Sequence, residues 1–335
     1  MGASLADIAA HAGVSEATVS RVLNERPGVA PDKRRAVLTA LHLLGYERPS
    51  RLSRRTGRPV GMILPELANP FYPALAQALG ANFARRRFTP LLGAQEDGAF
   101  HEDEQIEMLI ESGAAGIIFV RGRHADTSVP VTRYQELRAR GLMLGFVNGY
   151  REGVDAPFFS VDEVAGISLA MRHLIALGHR RIALANGPAS LVSSQRMFEG
   201  YRTALAAGVP DAEPLVVNTF LTDDGGISAA RTLLASGCTA IVCASDLVAV
   251  GVLAEARRQG LEVPRDLSVI GFDDSPLARH SWPPLTTVQQ PLVALSVGAA
   301  DAFVGEMNNI PASRSEYLFQ PELVVRASTG AAPEG

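Results

Sequence analysis

Leu5-Ala-Asp-Ile-Ala-Ala-His-Ala-Gly-Val-Ser-Glu-Ala-Thr-Val-Ser-Arg-Val-Leu-Asn24 decides how the rest of this chain is read. With the residue before it, Ser4-Leu-Ala-Asp7 is a capping box with Asp in place of Glu, and it opens a helix whose apolar residues Leu5, Ile8, Ala9 and Ala12 share one face. Gly13 ends that helix, and the turn Ala12-Gly13-Val14 leads to Ser15, which caps a second one. In the second helix Val14, the Thr18 methyl, Val19, Val22 and Leu23 can face inward, leaving Glu16, Ala17, Ser20 and Arg21 outward. A third helix is expected after Pro31, with Val37, Leu38, Leu41 and Leu44 at core spacing and Gly45 as its stop. Three short helices sharing one core make a helix-turn-helix layout, although an ordinary three-helix cap that never meets DNA has the same spacing.

Charge separates this head from the remainder. Residues 1–58 carry ten basic groups against five acidic ones, whereas the rest of the chain has a deficit of nine and the whole a net charge of −4. A basic head on an acidic body points to nucleic acid as partner of the head. The 335 residues, 47% hydrophobic and 20% charged, suffice for about two folded domains and exclude a disordered chain. Lys33 is the single lysine, which leaves little room for lysine-based chemistry. Cys238 and Cys243 bracket the apolar run Cys-Thr-Ala-Ile-Val-Cys; in a strand their odd spacing would send them to opposite faces, as reduced core residues. No charged n-region with an apolar follower opens the chain, Ala6 spoils a myristoylation pattern, and no 18-residue apolar window occurs, so a cytoplasmic protein without membrane association is expected.

From Val60 onward, apolar β-rich runs alternate with helical patterns. The runs are Val60-Gly-Met-Ile-Leu, Pro90-Leu-Leu, Gly116-Ile-Ile-Phe-Val, Leu142-Met-Leu-Gly-Phe-Val, Arg181-Ile-Ala-Leu-Ala, Pro214-Leu-Val-Val, Ala240-Ile-Val-Cys and Leu267-Ser-Val-Ile-Gly-Phe. Strands this apolar must be covered on both faces, and the stretches between them (72–87, 101–112, 163–177, 194–207, 226–236, 247–259) are long enough for covering helices. The body is therefore α/β, with two sets of about four strands making two doubly wound parallel-sheet lobes. Ligands of such sheets sit outside the carboxyl ends of the strands. The loops there hold Asn69-Pro-Phe71-Tyr72, Asn148, Ser160-Val-Asp162, Arg196, Ser245-Asp246 and Asp273-Asp274, a set that suits a polyhydroxylated ligand. Some of these have plainer readings: Asp246 as a helix N-cap, Asn69 as a turn former before Pro70, and one of Asp273 and Asp274 as a structural bridge.

The stretch Leu5–Asn24, ending in Leu44-Gly-Tyr46, resembles the headpiece of LacI/GalR-family repressors, and the resemblance continues through Leu177-Gly-His-Arg-Arg-Ile182, Gly271-Phe-Asp-Asp274 and Pro283-Pro-Leu-Thr-Thr-Val-Gln-Gln-Pro291. It implies a lambda-repressor-like helix-turn-helix headpiece (1–46), a hinge linker (47–59) and a periplasmic-binding-protein-like sugar-sensing and dimerisation domain (60–335). It also implies a recognition helix in the major groove of double-stranded operator DNA. Glu16, Ala17 and Arg21 would read bases, with Arg21 donating twice to a guanine, and Thr18, Ser20 and Asn24 would hold phosphates. Glu16 is repelled by phosphate and is useful at a base edge only by accepting from cytosine N4, though a solvated charge near a helix N-terminus accounts for it equally. The basic linker places Arg51, Leu52 and Arg55 at the minor groove, with Leu52 as the wedge; Pro49 lies three residues after Tyr46 where two is usual.

For the body, the resemblance makes Arg196 and Asp273 the sugar-gripping pair, with Phe71, Asn148, Phe220 and Ser245 lining the cleft. Three departures stand out: Arg196 lies four residues before Gly200 where members more often have three, Asn148 replaces a common aspartate, and Ser245 a common asparagine. No tetramerising heptads follow Val325-Arg326, so a homodimer is expected. Gln195-Arg-Met-Phe-Glu-Gly-Tyr201, Tyr46-Glu-Arg-Pro49 and Phe319-Gln-Pro-Glu-Leu-Val-Val-Arg326 look most like maltose-regulon repressors of actinobacterial type, which implies maltose or a maltooligosaccharide as effector.

Two other classes compete. The body alone would fit a sugar-binding transport-type protein, against which stand the basic head and the absent signal peptide. An enzyme using Asp273 and Asp274 as acid and base is disfavoured, because sequence neighbours rarely give the opposed carboxylates, about 5–9 Å apart, that glycoside cleavage needs. No Gly-x-Ser-x-Gly, His-Glu-x-x-His or phosphate-binding Gly-rich loop ending in Lys is present, the histidines do not cluster at metal-ligand spacing, and His101–Glu104 reads as a solvated helix start, so neither metal nor cofactor is expected.

Overall fold

The computed structural model describes residues 4–23, 28–44, 57–94 and 102–333. It divides into two units, Met1–Thr56 and Gly57–Gly335. Asn24, Gly45, Pro49, Arg51, Leu52, Arg55 and His101 of the sequence reading lie outside the described residues.

In the first unit, α1 (Leu5–Ala12), α2 (Glu16–Leu23) and α3 (Pro31–Leu43) follow the local signals. The Ser4 side chain accepts from the Asp7 amide at 3.2 Å while the Asp7 carboxylate accepts from the Ser4 amide at 2.8 Å, satisfying two amides that the first turn would leave bare. Gly13 closes α1 at φ 62°, a left-handed conformation that glycine adopts without strain. The Ser15 hydroxyl accepts from the Thr18 amide at 3.3 Å and so starts α2. Ile8, Ala9, Val19, Val22, Val37 and Ala40 are buried together, with Leu41 and Leu44 packed against them. Leu38, expected inside, is 54% exposed, because the register of α3 turns Val37 and Ala40 to the core instead.

The second unit opens with β1 (Arg58–Leu64), which begins two residues inside the segment expected as linker. There follow α4 (Phe71–Arg85), β2 (Phe88–Ala94), α5 (Glu102–Glu111), β3 (Gly116–Val120), α6 (Thr132–Ala139), β4 (Met143–Val147), β5 (Phe158–Val161), α7 (Glu163–Ala176), β6 (Ile182–Asn186), α8 (Val192–Gly208), β7 (Leu215–Asn218), α9 (Asp223–Ala235), β8 (Ala240–Cys243), α10 (Asp246–Arg258), β9 (Ser268–Asp273), α11 (Pro276–His280), β10 (Thr286–Gln289), α12 (Leu292–Met307), β11 (Glu316–Phe319) and β12 (Glu322–Val324). Among the described residues two six-stranded sheets result, in the orders β11-β5-β4-β3-β1-β2 and β12-β10-β9-β8-β6-β7, parallel throughout except for β12. Both faces of each sheet are covered. In β1, Val60, Met62 and Leu64 meet α4 and α12, while Ile63 packs with Phe119, Phe146 and Phe158 on the opposite face.

Each sheet has two more strands than the apolar runs announce. The chain passes between lobes three times, at 161–163, 289–292 and 319–322, so β5 and β11 complete the first sheet while β10 and β12 complete the second. β11 and β12 are short, half-exposed edge strands, and β10 reads Thr-Thr-Val-Gln, so none carries the apolar signal of a central strand. Cys238 and Cys243 are free and buried but share one core cluster, contrary to the expectation of opposite faces; β8 begins at Ala240, leaving Cys238 in the preceding loop. Glu102, read as part of a solvated helix start, is buried and accepts from the Arg123 amide at 2.8 Å and the Tyr134 hydroxyl at 2.5 Å. Among the described residues no helix is long and apolar enough to cross a membrane.

Candidate functional site: a helix-turn-helix face and an interlobe cavity

On the first unit, the outer face of α2 presents Glu16, Ala17 and Arg21 to solvent, with Thr18 and Ser20 half-buried at its margins. Thr18 Oγ1 lies 3.0 Å from Ser15 Oγ, so the residues that start the helix also orient its hydroxyl edge. The first turn of α3 adds exposed Lys33, Arg34 and Arg35 to the basic surface of the head. A helix exposing short side chains and one long cation, backed by a rigid apolar core, can enter a DNA major groove.

In the second unit the carboxyl ends of both sheets face one narrow cavity of about 30 Å³, with the first two lobe crossings in its wall. Asn69 reaches it from the loop after β1, Phe71 and Tyr72 from the first turn of α4, Arg121 from the end of β3 and Asn148 from the end of β4. Val161 and Glu163 come from the first crossing and Gln290 from the second. The second lobe adds Ser193, Ser194 and Met197 of α8, Leu221, Ala244 and Ser245 beyond β7 and β8, and Phe272 and Asp273 at the end of β9. Arg121, Asn148 and Asp273 all have positive φ (44°, 60° and 125°), so the backbone holds less common conformations at three corners of the cavity.

Asp273 is the polar centre. Its carboxylate accepts from Gln290 Nε2 at 2.7 Å and, across the lobes, from Asn69 Nδ2 at 3.4 Å. Asn69 is also the expected turn former, its Oδ1 accepting from the Phe71 amide at 3.0 Å. Burial, and then the nearby Asp246 carboxylate, push the Asp273 carboxyl well above the usual range, while Gln290, Asn69 and Arg121 oppose them. Asp246 caps nothing; Ser245 is the N-cap of α10, and the fully buried Asp246 carboxylate accepts from the Ser275 amide at 2.7 Å and the Thr287 hydroxyl at 2.5 Å. Asp274 is the structural bridge of the pair, held by Arg326 at 2.5 Å and Gln289 Nε2 at 2.7 Å. Gln290 Oε1 is buried without a hydrogen-bond partner among the described residues, and Arg121 lies 5.3 Å over the Tyr72 ring. Carboxylate, amide and guanidinium groups beside aromatic rings can bind a ligand rich in hydroxyls.

Six of the nine expected ligand residues therefore meet here: Asn69, Phe71, Tyr72, Asn148, Ser245 and Asp273. Three do not line the cavity. Ser160 is fully buried within β5 with no partner for its hydroxyl among the described residues, and Phe220 is 77% exposed while its neighbour Leu221 faces inward. Arg196 is one residue out of phase on α8, about 100° around the helix from Met197, which takes the cavity-facing place. The extra residue between Arg196 and Gly200 was the available signal of that rotation. Arg121, Glu163, Met197, Leu221 and Gln290 were missed; of these Arg121 directly follows an apolar run and could have been found by the same search that found Asn148.

Glu163 gives the cavity a pH-dependent group. Burial pushes its carboxyl up to about 7, with Arg196 pulling the other way and Glu316 adding to the rise. A carboxyl raised in the folded state contributes stability that is fully present below its ordinary pKa and is lost as pH climbs through the folded value. Glu163→Gln removes this loss, so its melting temperature relative to wild type should rise by a few degrees between pH 5 and pH 8. An offset independent of pH in paired thermal melts would refute that assignment.

The sequence and the solved structures of other proteins meet this geometry at both ends of the chain. Residues 4–49 match the family of bacterial regulatory proteins called the lacI family, and residues 171–329 match the periplasmic binding protein-like domain. The chain belongs to the lacI family: it is a transcriptional regulator, not an enzyme, with a helix-turn-helix head and a two-lobed periplasmic-binding-protein-like body. It is 50% identical to the HTH-type transcriptional regulator MalR of Streptomyces coelicolor, over 99% of this chain and 98% of that protein. The solved complex of the transcriptional regulator CelR with cellobiose superposes with a TM-score of 0.72 at 31% identity, covering 97% of this chain and 99% of that one. The lac repressor dimer bound to operator and the anti-inducer ONPF shares the fold at 24% identity, with a TM-score of 0.73 over 99% of this chain and all of that one.

Proposed function

We propose that this chain is a sugar-responsive repressor that binds an approximately palindromic operator as a homodimer, with residues 1–46 on DNA, 47–59 as hinge and 60–335 as sensor. The observation that carries the reading is the Asp273-centred cavity at the lobe crossings, polar enough for a sugar and contacted by both lobes. Glu16, Ala17 and Arg21 would meet base edges, Thr18, Ser20 and Asn24 phosphates, and Arg51, Leu52 and Arg55 the minor groove at the operator centre. In support of a dimer, Trp282 is 78% exposed beside an apolar groove lined by Val250, Leu253 and Leu277. The effector is maltose or a maltooligosaccharide: the motifs around Arg196 and Phe319 resemble maltose-regulon repressors, and a relative binds the glucose disaccharide cellobiose. The protein would act in the cytoplasm, where operator and imported sugar meet.

A sugar can release the operator only by favouring a lobe geometry unsuited to the paired heads. A tenfold to hundredfold change in operator affinity corresponds to about 1.4–3 kcal/mol of coupling, within reach of a few hydroxyl hydrogen bonds. Fluorescence anisotropy on DNA from upstream of the protein's own gene, at one fixed salt concentration, tests this with maltose, maltotriose, cellobiose, glucose and a phosphosugar. Release by a maltosaccharide is the expected result. Tight binding indifferent to every sugar would discard the effector, and no sequence-specific binding would discard the repressor.

A further inference from the structure

Three consecutive residues of α8 each meet something different. Gln195 Nε2 donates to Thr127 Oγ1 at 3.2 Å, across the rim of the cleft. Met197 faces the cavity. Between them Arg196 reaches out of the second lobe to Glu316, the first residue of β11 on the edge of the first lobe's sheet. Its Nη1 donates to Glu316 Oε1 at 2.8 Å and its Nη2 to Glu316 Oε2 at 2.6 Å, two parallel bonds from one planar fork. Nη1 also lies 3.4 Å from Glu163 Oε2, at the first lobe crossing.

This pair differs from a surface ion pair in two ways. The side chains of Arg196, Glu316 and Glu163 are only 22%, 12% and 2% exposed, so water screens them weakly and removing one partner leaves a charge stranded. It also joins elements of different lobes, so a change of interlobe angle alters the distance between guanidinium and carboxylate directly. Two parallel bonds of this length tolerate little displacement. Of the three residues, Glu163 also lines the cavity, and it is therefore shared between the pair and whatever fills that space.

We propose that Arg196 is a positioning residue, part of a clasp with Glu316 that holds the two lobes closed, and that Glu163 connects the clasp to the cavity. The clasp acts without touching a ligand. It explains why an arginine stands at 196 although the helix turns it away from the cavity.

The test needs no sugar, so its outcome is independent of the effector assigned above. The Thr127 amide donates to Ser190 O across the rim at 2.7 Å and must exchange faster whenever the lobes part. Hydrogen exchange of the full chain, read at single-residue resolution by mass spectrometry, compares wild type with Arg196→Met, Glu316→Gln, the double variant and Arg196→Lys. Core strand β8 serves as reference. Each of the first two variants should speed exchange at Thr127 by about tenfold, the size expected for losing one charge-assisted pair. The double variant should be no faster than the singles, Arg196→Lys intermediate, and β8 unchanged. An unchanged Thr127 rate would overturn the clasp. So would equal acceleration in β8, which would make the pair a support of the whole fold, or additive effects in the double variant, which would show that the two residues act separately.

Discussion

Asp273→Asn should abolish release of the operator by sugar while leaving operator binding without sugar unchanged. The fold has reason to tolerate it. Asparagine has the same shape and branching as aspartate, so the backbone φ of 125° that Asp273 already holds costs it nothing further. The new amide NH₂ would face donors on Gln290 and Asn69, but Gln290 Oε1 has no partner among the described residues, so a flip of that amide supplies the missing acceptor. What cannot be replaced is the second carboxyl oxygen, where asparagine offers an NH₂ group in place of an acceptor for ligand hydroxyls. A buried ligand hydroxyl left without its acceptor costs about 1–3 kcal/mol, so losing even one contact would weaken sugar binding roughly fivefold to a hundredfold, and a bidentate contact would lose more. Operator anisotropy with and without sugar, accompanied by a melting curve, checks it. A normal sugar response would remove Asp273 from the site, whereas failure to bind the operator at all would make it a residue of the fold.

Arg21→Ala should produce the largest loss on the DNA side. Arg21 is exposed on the outer face of α2 while Val19 and Val22 anchor the helix from beneath, so the substitution removes a contact without disturbing the head's core. A bidentate arginine–guanine pair discriminates by about 1–3 kcal/mol, and a dimer reading two half-sites would lose about twice that, so operator affinity should fall between roughly thirtyfold and roughly 25,000-fold. The loss should be specific: operators altered at one guanine of each half-site bind the variant as well as the original operator does. Ser20→Ala, by contrast, should weaken every sequence alike, as loss of a phosphate contact does. If Arg21→Ala weakened all sequences equally, Arg21 would be a phosphate contact and the base-reading surface would lie elsewhere on the helix.

These two residues illustrate different degrees of legibility. Arg21 was readable because a capping box, a glycine stop and an apolar stripe phase a short helix locally, and the outer face follows by subtraction. Asp273 was readable because it follows an apolar strand, where α/β sheets place their ligands. The same rule found Asn69, Asn148 and Ser245. It failed at Arg196, where one extra residue rotates the side chain away and brings Met197 in, and it overlooked Glu163 and Gln290, which reach the cavity at lobe crossings and not after a central strand.

By itself, then, the sequence determined the elements whose signals are local: two capped head helices and a third opened by Pro31, eight apolar strands, most of the helices that cover them, and the polar loops at the strand ends. Only the tertiary structure decided that β5 and β11 complete one lobe while β10 and β12 complete the other, that Asp246 is buried support and not a cap, and that Arg196 grips Glu316 across the lobes. The physical reason is range. Periodicity and capping are settled within one or two turns of chain, whereas edge-strand pairing, helix phase against a distant sheet and the pairing of charges 120 residues apart depend on contacts that exist only once both lobes have folded together.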